Sequence, residues 1–92
     1  MIELSLFGGK ASCMRFALER LAEKQPEAKA SISRIKRGSG FYASIEIQDE
    51  SQASMIESAL NNAIKLLESG KQFDQTKIYR AMLEELNNKR PA

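Results

Sequence analysis

The feature that most constrains the fold is a change of hydrophobic period at Asp49. From Phe41 to Gln48 apolar and polar residues alternate, with Phe41, Ala43, Ile45 and Ile47 on one side and Tyr42, Ser44, Glu46 and Gln48 on the other, as in a half-buried strand. Beyond it, Ile56, Leu60, Ala63 and Leu67, widened by Ala59 and Ile64, recur at helical spacing until Gly70 ends the pattern. Asp49 followed by Gln52 resembles a capping box, so the helix is expected to start where the strand stops.

The flanking segments extend this pattern. Ile2, Leu4 and Leu6 alternate with Glu3, Ser5 and Phe7, predicting a first strand over residues 2–7. Gly8-Gly9 breaks it, and Ser12 is a candidate cap for a helix whose Met14, Ala17, Leu18, Leu21 and Ala22 form one apolar face. Pro26 is expected to stop that helix by biasing Gln25 out of helical geometry. A second strand is predicted near Ala30 to Lys36, with Ile32 and Ile35 differing in parity as at a bulge. A last helix, from about Asp74 to Lys89, carries Ile78, Met82 and Leu86 on one stripe with Tyr79 and Leu83 beside it, and Arg90-Pro-Ala is expected to fray. The expected fold is α+β in the order β-α-β-β-α-α: one domain over residues 1–92, with a three-stranded antiparallel sheet and helices on one face. The other sheet face, with Phe7, Tyr42, Ser5, Ser44, Glu3 and Glu46, is either a binding platform or the seat of the last helix.

The run Arg34-Ile-Lys-Arg-Gly-Ser-Gly-Phe-Tyr42 reads as a basic hairpin tip. Gly38 and Gly40 are expected to supply positive φ, and Arg34, Lys36 and Arg37 crowd three cations beside Phe41 and Tyr42, a composition suited to a nucleic-acid backbone and its bases. Net charge is only +2, but it is segregated. Residues 10–37 hold eight basic and three acidic residues, net +5, and residues 38–70 hold one basic and five acidic, net −4. Such a dipolar domain suits electrostatically steered docking. The candidate contact residues are therefore Arg34, Lys36, Arg37 and Tyr42, joined by Lys29, Lys10 and Phe7.

Several function classes recede on composition. A chain of 92 residues makes one small core, and no apolar run approaches the roughly eighteen residues of a membrane span. The start, Met1-Ile-Glu-Leu-Ser5, lacks the basic and apolar regions of a signal peptide, so a cytoplasmic protein is expected. The lone Cys13 excludes an internal disulfide, and its apolar neighbours predict a buried thiol. With no histidine, the usual triad base, proton shuttle and zinc ligand are absent, so no catalytic residue, metal or cofactor is expected. Glu84 and Glu85 are adjacent and diverge by about 100° on a helix, too far to act on one bond. Gly8-Gly9-Lys10-Ala11-Ser12 lacks P-loop spacing and reads as a turn.

Three resemblances bear on function. Arg37-Gly-Ser-Gly-Phe41 partly resembles the third strand of an RNA-recognition motif, with Ser39 where the first stacking aromatic belongs. The element order with a late helix is similar to the DinI family of RecA-filament modulators, although this chain has no Trp and ends that helix with Leu86-Asn-Asn-Lys-Arg90. As a short, histidine-free domain with the Arg34–Tyr42 run at one edge and alternating charge blocks, the whole chain resembles the phage-borne anti-CRISPR inhibitors of type I-F surveillance complexes. That resemblance implies a non-enzymatic inhibitor that docks on protein subunits of a protein-crRNA complex, with possible crRNA or DNA-backbone contact, and blocks target-DNA hybridisation in the host cytoplasm. A RecA modulator or a free single-stranded nucleic-acid binder is the alternative.

Overall fold

The computed structural model describes residues 1–40 and 42–90. Seven elements follow one another: β1 (Ile2–Ser5), α1 (Lys10–Ala22), α2 (Ala28–Ile32), β2 (Ile35–Arg37), β3 (Ala43–Ile47), α3 (Glu50–Ser69) and α4 (Phe73–Lys89). The fold is α+β, with a three-stranded antiparallel sheet in the order β1-β3-β2. Leu4, Leu6, Ala43, Ile45 and Ile47 line its inner face and share one core with Met14 and Leu18 of α1, Ile56 and Leu60 of α3, and Met82 and Leu86 of α4. No helix among the described residues is long and apolar enough to cross a membrane.

The period change at Asp49 takes the form its residues predict. The Asp49 carboxylate accepts from the Gln52 amide at 2.9 Å, and the Gln52 side chain reaches back to the Gln48 amide at 2.8 Å, one residue before the usual reciprocal partner. At the other end of α3, Gln72 N–H bonds to Leu67 C=O and Lys71 N–H to Glu68 C=O, the pairing of a Schellman cap. The left-handed residue of that cap is Lys71, at φ 59°, whereas Gly70 sits at φ −88°.

Several expectations are corrected. The segment predicted as the start of the second strand contains α2, because Ala28, Ser31 and Ile32 follow helical spacing; the parity conflict between Ile32 and Ile35 is the passage from helix to strand, and β2 is only three residues long. The order is thus β-α-α-β-β-α-α. Ser12 does not cap α1, which starts two residues earlier at Lys10 after Gly8 turns the chain at φ 69°. That helix ends at Ala22, short of Pro26, whose carbonyl accepts from Lys29 in the turn leading into α2. On α4 the buried stripe is Thr76, Tyr79, Met82 and Leu86, and Ile78 turns outward.

Arg90 is not frayed: its guanidinium binds the Glu50 carboxylate and lies 3.1 Å from that of Glu57, tying the end of α4 to α3. Pro91 and Ala92 of the same expectation, and Phe41 with its proposed core placement, lie outside the described residues. Cys13 is half-buried and packs against the core. Burial drives the Tyr79 hydroxyl pKa well above its ordinary value, and the neighbouring Cys13 thiol adds to the shift.

Two stability measurements follow. Leu60→Ala empties a fully buried site between α3 and its neighbours and is expected to cost roughly 2 to 5 kcal/mol, read as a lower urea midpoint. Lys71→Gly relieves a side chain held in the left-handed region and should raise stability by about 1 kcal/mol, whereas an unchanged midpoint would mean that Lys71 adopts that conformation without strain.

Candidate interaction surface

A three-stranded sheet has two outer edges, and they are treated differently here. On the β1 side, the Ser5 amide donates to the Glu85 carboxylate at 3.3 Å, and the Lys89 ammonium donates to the Glu3 carbonyl at 2.9 Å while lying 2.9 Å from Glu85. The last helix therefore closes the sheet edge and does not sit on the outer face, where Glu3, Ser5 and Lys36 are exposed and Ser44 is buried. Burial alone would raise the Glu85 pKa, but the hydrogen bonds from Lys89 and Ser5 and the charges of Lys89 and Lys10 outweigh it and leave the carboxyl below its usual range.

The edge formed by β2 carries the cations that the sequence singled out. The register sets Lys36 opposite Ser44 on the outer face, where its ammonium lies 3.4 Å from Glu46. Arg37, opposite Ala43, turns to the inner-face side. There it lines a cleft of roughly 190 Å³ with Ala11 and Arg15 of α1, Ile32 of α2 and Ile35. Arg34 is half-buried just before β2, its amide donating to Ser31 C=O at 3.1 Å.

The hairpin beyond β2 is closed by Gly38 N–H donating to Tyr42 C=O at 2.9 Å, and Gly40 turns at φ 68°. Gly38 does not have the positive φ expected of it. It is needed for another reason, since a Cβ there would lie 2.9 Å from the Tyr42 ring. Tyr42 is 48% exposed, and Phe7, two residues past the end of β1, is 60% exposed.

The seven candidate residues thus do not form one patch. Arg34, Lys36, Arg37 and Tyr42 share the β2–β3 hairpin, and continuing the β1–β3 register past Ser5 and Ser44 sets Phe7 near Tyr42. Lys10 acts on Glu85 at the opposite edge of the sheet. Lys29 lines a separate cleft between α1 and α2 with Glu19, Ala22, Glu23 and Ile32. Arg15 of α1, not among the sequence candidates, is the further cation that the fold brings to this cleft; its Nε is held by Glu19 at 2.9 Å.

The acidic block is largely neutralised from elsewhere in the chain: Arg80 pairs with Glu68, Arg90 with Glu50 and Glu57, and Lys36 with Glu46. Arg34 and Arg37 take no ion pair among the described residues, which leaves the β2 edge as a net basic surface. At the centre of the outer face, Glu3 and Glu46 stand directly opposite each other, an unfavourable like-charge pair that Lys36 offsets. No group of three or more potential metal ligands converges among the described residues. Compared with known protein families, with curated proteins and with solved structures, the chain matches none.

The Glu85 contacts make stability depend on acid. A carboxyl whose folded pKa is lowered contributes stability above its unfolded pKa, and that contribution is lost as pH falls through the folded value. Glu85→Gln should therefore cost about 1 kcal/mol near pH 7 and almost nothing near pH 2, measured as the difference in urea midpoints between variant and parent. An equal cost at both pH values would show that the charge of Glu85 is not what closes the edge.

Proposed function

We propose that this chain is a non-catalytic inhibitor that docks its basic β2 edge on a type I CRISPR surveillance complex, a protein-crRNA assembly, and keeps target DNA from pairing with the guide. The observation that carries the binding part is the concentration of Arg34, Lys36 and Arg37 at one end of the sheet, with Arg15 beside them and most of the acidic block paired within the chain. Cations grouped on one edge steer a small domain onto a negatively charged partner. Likeness to the type I-F inhibitors supplies the identity of the target and the cytoplasm of the host cell as its place of action. The reading needs no cofactor and no small-molecule substrate.

The rival readings have less geometry behind them. A free single-strand binder would stack bases on the outer face, but Glu3 and Glu46 hold its centre. A DinI-like modulator would present an acidic last helix, whereas α4 balances Asp74, Glu84 and Glu85 with Lys77, Arg80 and Lys89.

The decisive experiment is a titration of a fixed amount of surveillance complex while target-DNA capture is followed. Capture should fall to zero near one equivalent, and the variant carrying Arg34→Ala, Lys36→Ala and Arg37→Ala should fail to inhibit, with its Tm within about 5 °C of the parent. Inactivation by a small fraction of an equivalent, growing with time, would replace binding with catalysis. No inhibition at any ratio would discard the anti-CRISPR reading.

A further inference from the structure

Hydrogen bonding across the sheet determines which backbone groups of β2 are free. Leu6 N–H donates to Ala43 C=O on the β1 side of β3, and Gly38 N–H donates to Tyr42 C=O on the β2 side. Odd residues of β3 therefore turn their backbone groups to β1 and even residues turn theirs to β2. Lys36, opposite Ser44, points its amide and carbonyl inward, and Ile35 and Arg37 point theirs away from the sheet. Because β2 is the last strand in the order, those groups face no neighbouring strand among the described residues.

The same two residues send their side chains to the cleft lined by Ala11, Arg15, Ile32, Ile35 and Arg37. A free strand edge with a side-chain pocket directly beside it is the arrangement by which an extended peptide is bound, main-chain hydrogen bonds giving adhesion and the pocket giving selectivity. A residue of an added strand that pairs with Ile35 or Arg37 lies on their face of the sheet, over that cleft. Arg15, Arg37 and apolar side chains line the cleft, and although Glu19 holds the Arg15 Nε, Arg37 takes no ion pair among the described residues, so the side chain the cleft favours is a carboxylate on a short stem.

We infer that the outer edge of β2 accepts an extended acidic segment of a partner protein, which adds as a fourth strand and places an Asp or Glu side chain between Arg15 and Arg37. The inference rests on the binding reading above and names the kind of segment bound. A second copy of this chain is disfavoured as the occupant, because pairing β2 with itself would bring two sets of Arg34, Lys36 and Arg37 together.

The test is an NMR titration of the full-length, isotope-labelled protein with a capped peptide of alternating Thr and Val around a central Glu. The Ile35 and Arg37 amides should shift and gain protection from solvent exchange. Replacing the central Glu by Gln, or making Arg37→Gln, should weaken binding roughly tenfold, the loss of one charge-assisted hydrogen bond. Arg37→Pro, which also removes an outward N–H from an edge position that tolerates proline, should weaken it further.

No shift at Ile35 and Arg37 at millimolar peptide overturns the inference, as does equal binding of the Glu and Gln peptides. Selective shifts at these residues with oligothymidylate in place of the peptide would assign the edge to nucleic acid and overturn it too. Failure here with inhibition intact would remove only the strand-addition inference, whereas peptide binding without inhibition would remove only the CRISPR target.

Discussion

The unequal treatment of the two sheet edges organises this molecule. Unpaired strand edges present N–H and C=O groups that invite further pairing, and small sheets must close or blunt them. Here β1 is closed by the Glu85 and Lys89 side chains of α4, which satisfy the Ser5 amide and the Glu3 carbonyl. For those two residues to reach β1, the last helix must run along α3 and bury Tyr79, Met82 and Leu86. Its position then depends on the Schellman turn at Lys71 and on the Arg90 tie to Glu50 and Glu57. Among the described residues the opposite edge has no such cover and is defended by brevity and charge.

What the sequence disclosed follows from how local each determinant is. The Asp49 cap and the seam through Ile56, Leu60 and Ala63 depend on neighbours within a few residues, and both stand as read. The core side of β1 and β3 also held at Leu4, Leu6, Ala43, Ile45 and Ile47, because half-buried strands write their faces into parity, whereas Ser44, expected on the open face, is buried. The short helix α2 was hidden because Ala28, Ser31, Ile32 and Ile35 make too brief a pattern to separate helix from bulged strand. The strand order β1-β3-β2 and the seating of α4 against the β1 edge are tertiary outcomes with no local signal.

The candidate surface divides along the same line. Arg34, Lys36 and Arg37 were visible as a run, but a run of cations does not reveal that Lys36 and Arg37 leave opposite faces of the sheet. Arg15 carried no mark of its own, since its Glu19 partner four residues on is what a solvated helix face would show. Only the packing of α1 beneath β2 makes it a neighbour of Arg37. Conversely, Lys10 and Lys29 belonged to the basic block in sequence yet occupy other parts of the surface, so net charge along the chain is a coarse guide to charge in space.

The cations on β2 reconcile an open edge with specificity. Three charged or bulky residues on three consecutive positions disfavour pairing of this edge with an identical strand. Repulsion between like charges is at the same time attraction for an acidic partner, and the difference between the two grows with every cation added. Lys36 partly withdraws from this by pairing with Glu46, which leaves Arg37, on the face of the cleft, as the β2 charge that would meet the proposed strand without first having to break an ion pair. On the proposed reading, discrimination at this edge would depend less on the total charge of the domain than on which side of a three-residue strand each cation occupies.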